Sequence, residues 1–528
     1  MSIDTSAPGR PTALSDREEC LLVLLLCVAA GLRVLVFSLA FPFFNNVDEV
    51  AHVDLVLKYS QGHVPRKIEA MSPLTGRYIT CYATTEYLSR AEQLVGGKVL
   101  PPMWTRPQWE LNAHLQQSDS RWGKLANHES SQAPLYYSWA GFWMRLGQWC
   151  VSSDGALLYW IRSLNVLVMG ALVWLSFVAA RLIFRERRFL RLGVPALLAF
   201  FPQDAFYGVQ NDVLVPLCFG VAFIGLVRLL RDDSIGWRVA LMTGLALAAT
   251  GLTKISSLPL LGVAAAAIIF RSWQLAKARK LKAALPALML LAVSAVLPLA
   301  GLVCWNKAHY GDLTGSAVKI ATLGWTRKPF AYWWLHPIFS AGGFWTFWSE
   351  LAASFWRGEI VWLARPLAWR PVDFFYSLSS ALLVGAGMVS LWPRFKGATE
   401  LQRPPLWLAV CLCVASVGFL AMLSLAFDFG DCVYPSRAHP YFVSGRLLSG
   451  VLIPFSLLYV LGLDRLFDRA KSEWVKWSAL GAVVLVATVS EIVIDCPVFA
   501  SQFNFYHMPA NFDPHLIVNS EPQQPPTK

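Results

Sequence analysis

Long apolar stretches alternate with shorter polar intervals along the chain. The apolar stretches cover residues 19–41, 159–184, 192–206, 213–230, 239–252, 256–270, 283–305, 374–392, 406–427, 447–463 and 477–494. Hydrocarbon about 30 Å thick is crossed by a helix of about 20 residues. The pattern therefore predicts an all-α polytopic membrane protein with about eleven transmembrane helices, within a range of about 11–13.

The basic residues of the short intervals predict which side each one faces, because Lys and Arg collect on the cytoplasmic side. Intervals 185–191, 228–238, 271–282, 394–403 and 465–476 each carry several of them, whereas 207–211, 253–255 and 428–446 carry few. We expect a cytoplasmic tail at 1–18 and a transmembrane domain at 19–495, whose first stretch lacks a small-x-small cleavage site. Loops 43–157, 306–371 and 428–446 and a tail at 496–528, disordered at its end, are expected to be extracytoplasmic.

One apolar and aromatic segment, residues 133–150, breaks this alternation if it crosses the bilayer. A span there would place the basic interval 185–191 outside. We therefore interpret it as an interfacial or re-entrant helix in the large first extracytoplasmic loop, the alternative being a twelfth span.

The composition excludes several broad classes of protein. Of 528 residues, 56% are hydrophobic and only 15% are charged, against roughly 25% charged in soluble domains. A soluble multidomain enzyme, a disordered chain and a collagen are thereby excluded. The net charge of +12 is spread between the apolar stretches, which argues against a nucleic-acid partner. Ten cysteines in so long a chain indicate no dense disulfide framework.

Polar residues at the end of the first apolar stretch are the first candidates for chemistry. Asp48, Glu49 and His52 follow it directly and are suited to supplying a general base or ligands for a divalent cation. The structural alternative is a polar helix start capped by Asp48. Glu129 and Gln132 precede a helix expected to begin at Pro134, and there function and capping are equally good interpretations.

These segments resemble the type C glycosyltransferases, integral membrane enzymes that take sugars from polyprenyl or dolichyl phosphate carriers. Protein mannosyltransferases and lipid A aminoarabinose transferases belong to this family. The resemblance extends from about residue 20 to 463, and Ala133 departs from the Pro-Pro pair that many members have. The segments that carry it are Asp48-Glu49 with His52, Gln132-Ala133-Pro134-Leu135-Tyr136-Tyr137, Arg162-Ser163-Leu164-Asn165, Asn211-Asp212-Val213-Leu214, Trp305-Asn306-Lys307-Ala308-His309-Tyr310-Gly311-Asp312 and Gly445-Arg446-Leu447-Leu448.

The resemblance implies a sugar transferred with inversion to an acceptor hydroxyl, which needs a carboxylate base. Asp48 is the candidate base and Glu49 its catalytic neighbour. Lys254 and Arg446 are candidates to stabilise the leaving lipid phosphate, although snorkelling to the membrane boundary explains each equally well. The remaining substrate-binding candidates are His52, Glu129, Gln132, Asp212 and Asp312, and a divalent metal, if one is used, has His52, Glu129 and Asp212 as candidate ligands.

The implied partners are a polyprenyl-phosphate-sugar donor, a glycan, lipid or protein acceptor, and membrane lipids. The expected location is a bacterial inner membrane with the active site on the extracytoplasmic face. Two other functions remain open. A lipid or oligosaccharide transporter or flippase would place its polar residues near the bilayer midplane, and a polysaccharide polymerase or ligase would not need the early Asp-Glu pair.

Overall fold

The computed structural model describes residues 15–45, 47–84, 86–87, 89–94, 99–392, 399–432, 434–468, 472–514 and 516. Helices dominate it, with two short antiparallel strand pairs, Thr326–Arg327 with Phe427–Asp428 and Val361–Trp362 with Arg365–Pro366. The helices are α1 (Asp16–Ala40), α2 (Glu49–Ser60), α3 (Pro73–Tyr82), α4 (Gln108–Trp122), α5 (Leu135–Cys150), α6 (Asp154–Ile183), α7 (Arg188–Ala199), α8 (Val215–Arg231), α9 (Trp237–Thr253), α10 (Leu258–Lys277), α11 (Leu281–Tyr310), α12 (Ser316–Thr322), α13 (Ala341–Arg357), α14 (Arg370–Val389), α15 (Arg403–Ala426), α16 (Leu452–Leu466), α17 (Glu473–Ile494) and α18 (Cys496–Ala500).

The described helices confirm an all-α polytopic membrane protein. In the described ranges, nine helical segments are long and apolar enough to cross a membrane by length and composition. They are Asp16–Ala40, Asp154–Ile183, Asn211–Arg231, Ile255–Lys277, Leu281–Tyr310, Arg370–Val389, Arg403–Ala426, Gly445–Leu466 and Glu473–Ile494.

Two of the eleven expected spans correspond to shorter helices. The stretch 239–252 falls on α9, of 17 residues, and the stretch 192–206 falls on α7, of 12 residues. Pro202 follows closely on the end of α7, and proline disfavours helical backbone in the residue before it. The segment expected to be interfacial or re-entrant forms α5, whose 16 residues are fewer than the about 20 of a full span.

Helix α16 lies at the centre of the bundle. All residues from Leu452 to Asp464 are buried, as expected for a helix that is apolar on every side. Small residues let α14 approach it closely, since a Cβ built on Gly462 would lie 1.7 Å from the carbonyl oxygen of Leu383. Close backbone contact of this kind is a common way for membrane helices to pack.

Gly462→Ala should therefore destabilise the folded protein, because the added methyl overlaps the backbone of α14. Overpacking of this kind typically costs about 1–3 kcal/mol. Thermal unfolding in detergent measures the effect, with Gly385→Ala on α14 as the matched control, since a Cβ there meets nothing within 4 Å. Equal stability of the two variants would contradict the prediction.

The segment after α17 packs back onto the first loop. The backbone N–H of Leu516 donates to Asp154 over 2.6 Å, and Tyr506 OH donates to the carbonyl of Val36 over 3.1 Å. Phe512 contacts Tyr82, with ring centroids 5.7 Å apart. This part of the tail is thus folded against α1, α3 and α6. The predicted disorder at the end of the tail, and most of the predicted 1–18 tail, lie outside the described residues.

Candidate active site

Asp48 occupies the turn between α1 and α2. Its backbone is left-handed, with φ 62° and ψ 5°, immediately before the first residue of α2. The side chain is 26% exposed, and its two oxygens face different cations. Arg446 Nη2 donates to Oδ2 over 2.8 Å, and His128 Nε2 lies 3.4 Å from Oδ1. Asp48 is therefore an accessible carboxylate held from two sides.

The loop before α5 brings His128 and Glu129 to Asp48. The Asn127 amide anchors this loop by donating to the carbonyl of Ala51 over 2.9 Å and to Asp54 over 2.8 Å. His128 Nε2 lies 3.4 Å from Glu129 Oε1 as well as from Asp48. Its imidazole thus bridges the two carboxylates.

Two further groups complete the surroundings of Glu129. Lys319, on α12, forms an ion pair with its carboxylate. Gln132 donates to the same carboxylate through Nε2, and its Oε1 accepts from Asn211 Nδ2 over 3.0 Å. Gln132 therefore connects Glu129 to the turn that precedes α8.

Arg446 stands where three carboxylates meet at the start of the span 445–466. It donates to Asp48, and its Nε lies 3.7 Å from Glu359 and 4.0 Å from Asp212. The Lys254 ammonium, between α9 and α10, contacts Asp212 over 2.5 Å. Arg446 itself is only 14% exposed. Acidic and basic groups thus alternate through one cluster, in which Asp48, His128 and Lys319 are partly exposed and the other charged groups are largely buried.

The local charges set the protonation of the accessible groups. Burial acts to raise the pKa of Asp48, but the His128 hydrogen bond and the positive charge of Arg446 outweigh it and hold that pKa well below its usual range. Burial acts to lower the pKa of His128, whereas its bonds to Asp48 and Glu129 raise it to about 9. At neutral pH Asp48 is therefore ionised and His128 is protonated.

The raised pKa of His128 predicts a pH-dependent stability. The protonated imidazole contributes stability that is complete below its unfolded value of 6.5 and is lost as the pH rises to about 9. The difference in thermal midpoint between the wild type and His128→Gln should therefore be largest at pH 6 and shrink by pH 9.5. A constant difference over this range would contradict the assignment.

His52 lies next to this cluster but is buried in α2. Its Nδ1 lies 2.7 Å from Tyr137 OH. Burial lowers its pKa to about 4, despite the nearby Glu129 and Asp48 carboxylates that act to raise it. His52 is therefore neutral at physiological pH and holds α2 against α5.

Metal-ligand spacing occurs within the described residues at one group of three, Asp48, His128 and Glu129, whose ligand atoms lie within 4.8 Å of one another. Glu129 is shared with the trio expected from the sequence, whereas Asp212 instead contacts Lys254 and His52 contacts Tyr137. Carboxylate and imidazole fit a divalent ion. Such an ion would have to compete with the cations already at these carboxylates.

The structure brings together most of the site residues expected from the sequence. Two lie apart from the cluster. Glu49 is buried and pairs with Arg162 through two bonds, of 2.8 and 2.7 Å. Asp312 accepts from Thr314 N over 2.8 Å and from Ala317 N over 3.0 Å, in the turn that begins α12. The residues in or beside the cluster are Asp48, His52, Glu129, Gln132, Asp212, Lys254 and Arg446.

Sequence reasoning missed three members of the cluster: His128, Lys319 and Glu359. His128 directly precedes the candidate Glu129 in the sequence, and this adjacency is a signal that could have identified it. Lys319 and Glu359 lie in the long interval between apolar stretches, where no hydrophobic period indicates which side chains face the site.

No protein-family model and no curated protein matches the sequence. Among solved structures, the chain is similar to the crystal structure of ArnT from Cupriavidus metallidurans bound to undecaprenyl phosphate. The match covers 94% of this chain and 68% of that chain, with a TM-score of 0.44 and 15% sequence identity. A likeness of this extent assigns no activity, which has to be argued from the residues of this chain.

Proposed function

We propose that the protein is a type C membrane glycosyltransferase that moves a sugar from a polyprenyl-phosphate carrier to an acceptor hydroxyl. The observation that carries the proposal is the accessible carboxylate of Asp48 in contact with Arg446 and His128 at the end of the first span. The segments that resemble the family supply Asp48, Gln132, Asp212 and Arg446 of this cluster. The proposed base, Asp48, therefore lies in direct contact with Arg446, a cation that is suited to bind a phosphate.

The proposed reaction is a single inverting displacement. The acceptor oxygen attacks the anomeric carbon as the bond from that carbon to the phosphate oxygen breaks, and the acceptor proton passes to Asp48. The electron pair of the broken bond leaves on the polyprenyl phosphate. Arg446 and Lys254 are the cations proposed to stabilise the charge that develops there.

The contact between Asp48 and Arg446 gives donor binding a role in activating the base. Arg446 lowers the pKa of Asp48 and so makes it a weak base. A donor phosphate that bonds to Arg446 would compete for the same guanidinium, which forms strong paired bonds with phosphate. Asp48 would then become more basic when the donor is present.

The proposed location is the extracytoplasmic face of a bacterial inner membrane, with the N-terminus in the cytoplasm. The distribution of basic residues among the short intervals supports this orientation. A transporter would need charges near the midplane. Arg33 and Glu491 are buried charges within the candidate spans, but they pair with each other over 2.7 Å, and Arg33 also donates to Tyr207 OH and to the carbonyl of Phe201, so both are bonded within the protein.

The test is sugar transfer from a radiolabelled polyprenyl-phosphate-sugar mixture in membranes that contain the wild type, Asp48→Asn or neither protein at matched expression. Transfer that requires the wild type supports the proposal. Absence of transfer from every donor would overturn it and favour a transporter, flippase, polymerase or ligase.

A further inference from the structure

A cleft of about 600 Å³ opens between the loop after α2 and the end of α11. We call it the basic cleft, and its walls are formed by Gly62, His63, Val64, Arg66, Lys67, Glu69 and Trp305. A second hollow, of about 340 Å³, shares Gly62 and Val64 with it and continues along α5. None of these residues belongs to the cluster around Asp48.

The basic cleft carries an excess of positive charge. Its single carboxylate, Glu69, lies 2.8 Å from His63 Nε2 and 3.5 Å from the ammonium of Lys58, which also pairs with Asp54 over 2.9 Å. Arg66 and Lys67 are exposed, and neither forms an ion pair within the described part of the chain. Two cations therefore remain available to an anionic ligand.

An apolar surface adjoins these cations at the membrane boundary. Trp305 lies five residues before the end of the candidate span Leu281–Tyr310, a position typical of interfacial tryptophan. Phe142 lines the second hollow, and it and Trp139 are exposed on α5. The combination fits an amphipathic ligand whose head lies among the cations and whose chains lie against α5.

The walls of the basic cleft are also bonded to the loop that carries Glu129. Tyr310 OH contacts the carbonyls of Pro65 and Ser130, at 3.0 and 2.8 Å. Glu69 N donates to Ser130 Oγ over 3.3 Å. A ligand in the cleft would therefore lie beside the backbone that positions the proposed active site.

We propose that the basic cleft binds the phosphate-bearing headgroup of a membrane lipid. Paired bonds from Arg66 and the point charge of Lys67 suit a phosphate, and Trp305 marks the depth of the headgroup. The binding does not depend on the proposed transferase activity. Two sources share this chemistry, an acceptor lipid and a bulk anionic phospholipid, and only the first rests on the proposed function.

Native mass spectrometry of the purified full-length protein in detergent tests the binding, with phosphatidic acid and phosphatidylcholine as the two probes. The wild type should prefer phosphatidic acid by about tenfold, and Arg66→Gln with Lys67→Gln should remove that preference. Arg279→Gln with Lys280→Gln, at the exposed loop before α11, is the matched control and should leave it unchanged. An unchanged preference in the Arg66 and Lys67 variant would overturn the proposal.

A second arm distinguishes the two sources. The protein loaded with phosphatidylglycerol, whose headgroup carries a phosphate and two free hydroxyls, is incubated with membranes that supply polyprenyl-phosphate sugars, and the bound lipid is weighed again. A gain of one sugar supports the cleft as the acceptor site. Bound lipid without a gain supports the cleft as a phospholipid site, so failure of the transferase proposal leaves the binding result standing.

Discussion

Asp48→Asn should lower sugar transfer by about 10²- to 10⁴-fold, the range typical for loss of a positioned general base. Asparagine keeps the size of the side chain and one of its oxygen acceptors, but it does not take up the acceptor proton. It also suits the backbone, because Asp48 has a φ of 62° and asparagine is among the residues that tolerate the left-handed region. The loss of transfer should therefore occur in a folded protein.

The measurement is the initial rate of transfer in membranes at matched protein level, together with the thermal midpoint of the purified variant. Asp431→Asn provides the matched control, since Asp431 is exposed in the loop before α16. It should retain wild-type transfer. A fully active Asp48→Asn protein would move the base to another carboxylate, with Glu129 as the first to test.

The position of the site along the chain follows from hydropathy. Asp48, Asp212, Lys254 and Arg446 each lie at the end or the start of an apolar stretch. Consecutive spans cross the membrane in opposite directions, so the end of one span and the start of the next lie at the same boundary. This simple rule was sufficient to predict candidates that the structure brings into one cluster.

The partners of each charge could not be predicted in the same way. Asp48 and Glu49 are neighbours in sequence, yet the left-handed turn at Asp48 directs them into different surroundings, one facing Arg446 and the other Arg162. Asp312 satisfies a local turn. These outcomes depend on backbone conformation and on contacts between distant segments, which a single sequence does not display.

Helix α7 is a similar case for the fold. The apolar stretch 192–206 was expected to form one span, but the helix ends at Ala199 and a short 3₁₀ turn follows at Asp204–Tyr207. The nonhelical stretch lets the Gln203 side chain reach the carbonyl of Phe355 over 2.7 Å. Hydropathy therefore identified the apolar stretch, but it did not indicate that the helix ends before Pro202, where the residue ahead of a proline disfavours helical backbone.

Glu49→Gln should cause a large loss of stability. The Glu49 carboxylate accepts four bonds, two from Arg162 and one each from the backbone N–H groups of Phe44 and Val209, all between 2.7 and 2.9 Å. Arg162 is held in place by bonds to the carbonyls of Ser38, Phe41 and Pro42. Glutamine at position 49 would leave the buried positive charge of Arg162 uncompensated, which typically costs about 3–5 kcal/mol.

Thermal unfolding in detergent checks this prediction against Asp16→Asn, which removes a carboxylate from an equally short ion pair at the surface. Asp16 and Arg181 lie 2.7 Å apart, but their side chains are 79% and 42% exposed, and exposed pairs contribute little. Adding Arg162→Gln to Glu49→Gln should recover part of the lost stability, because it removes the unpaired charge. If Glu49→Gln is as stable as Asp16→Asn, the buried pair does not hold α1, α2 and α6 together.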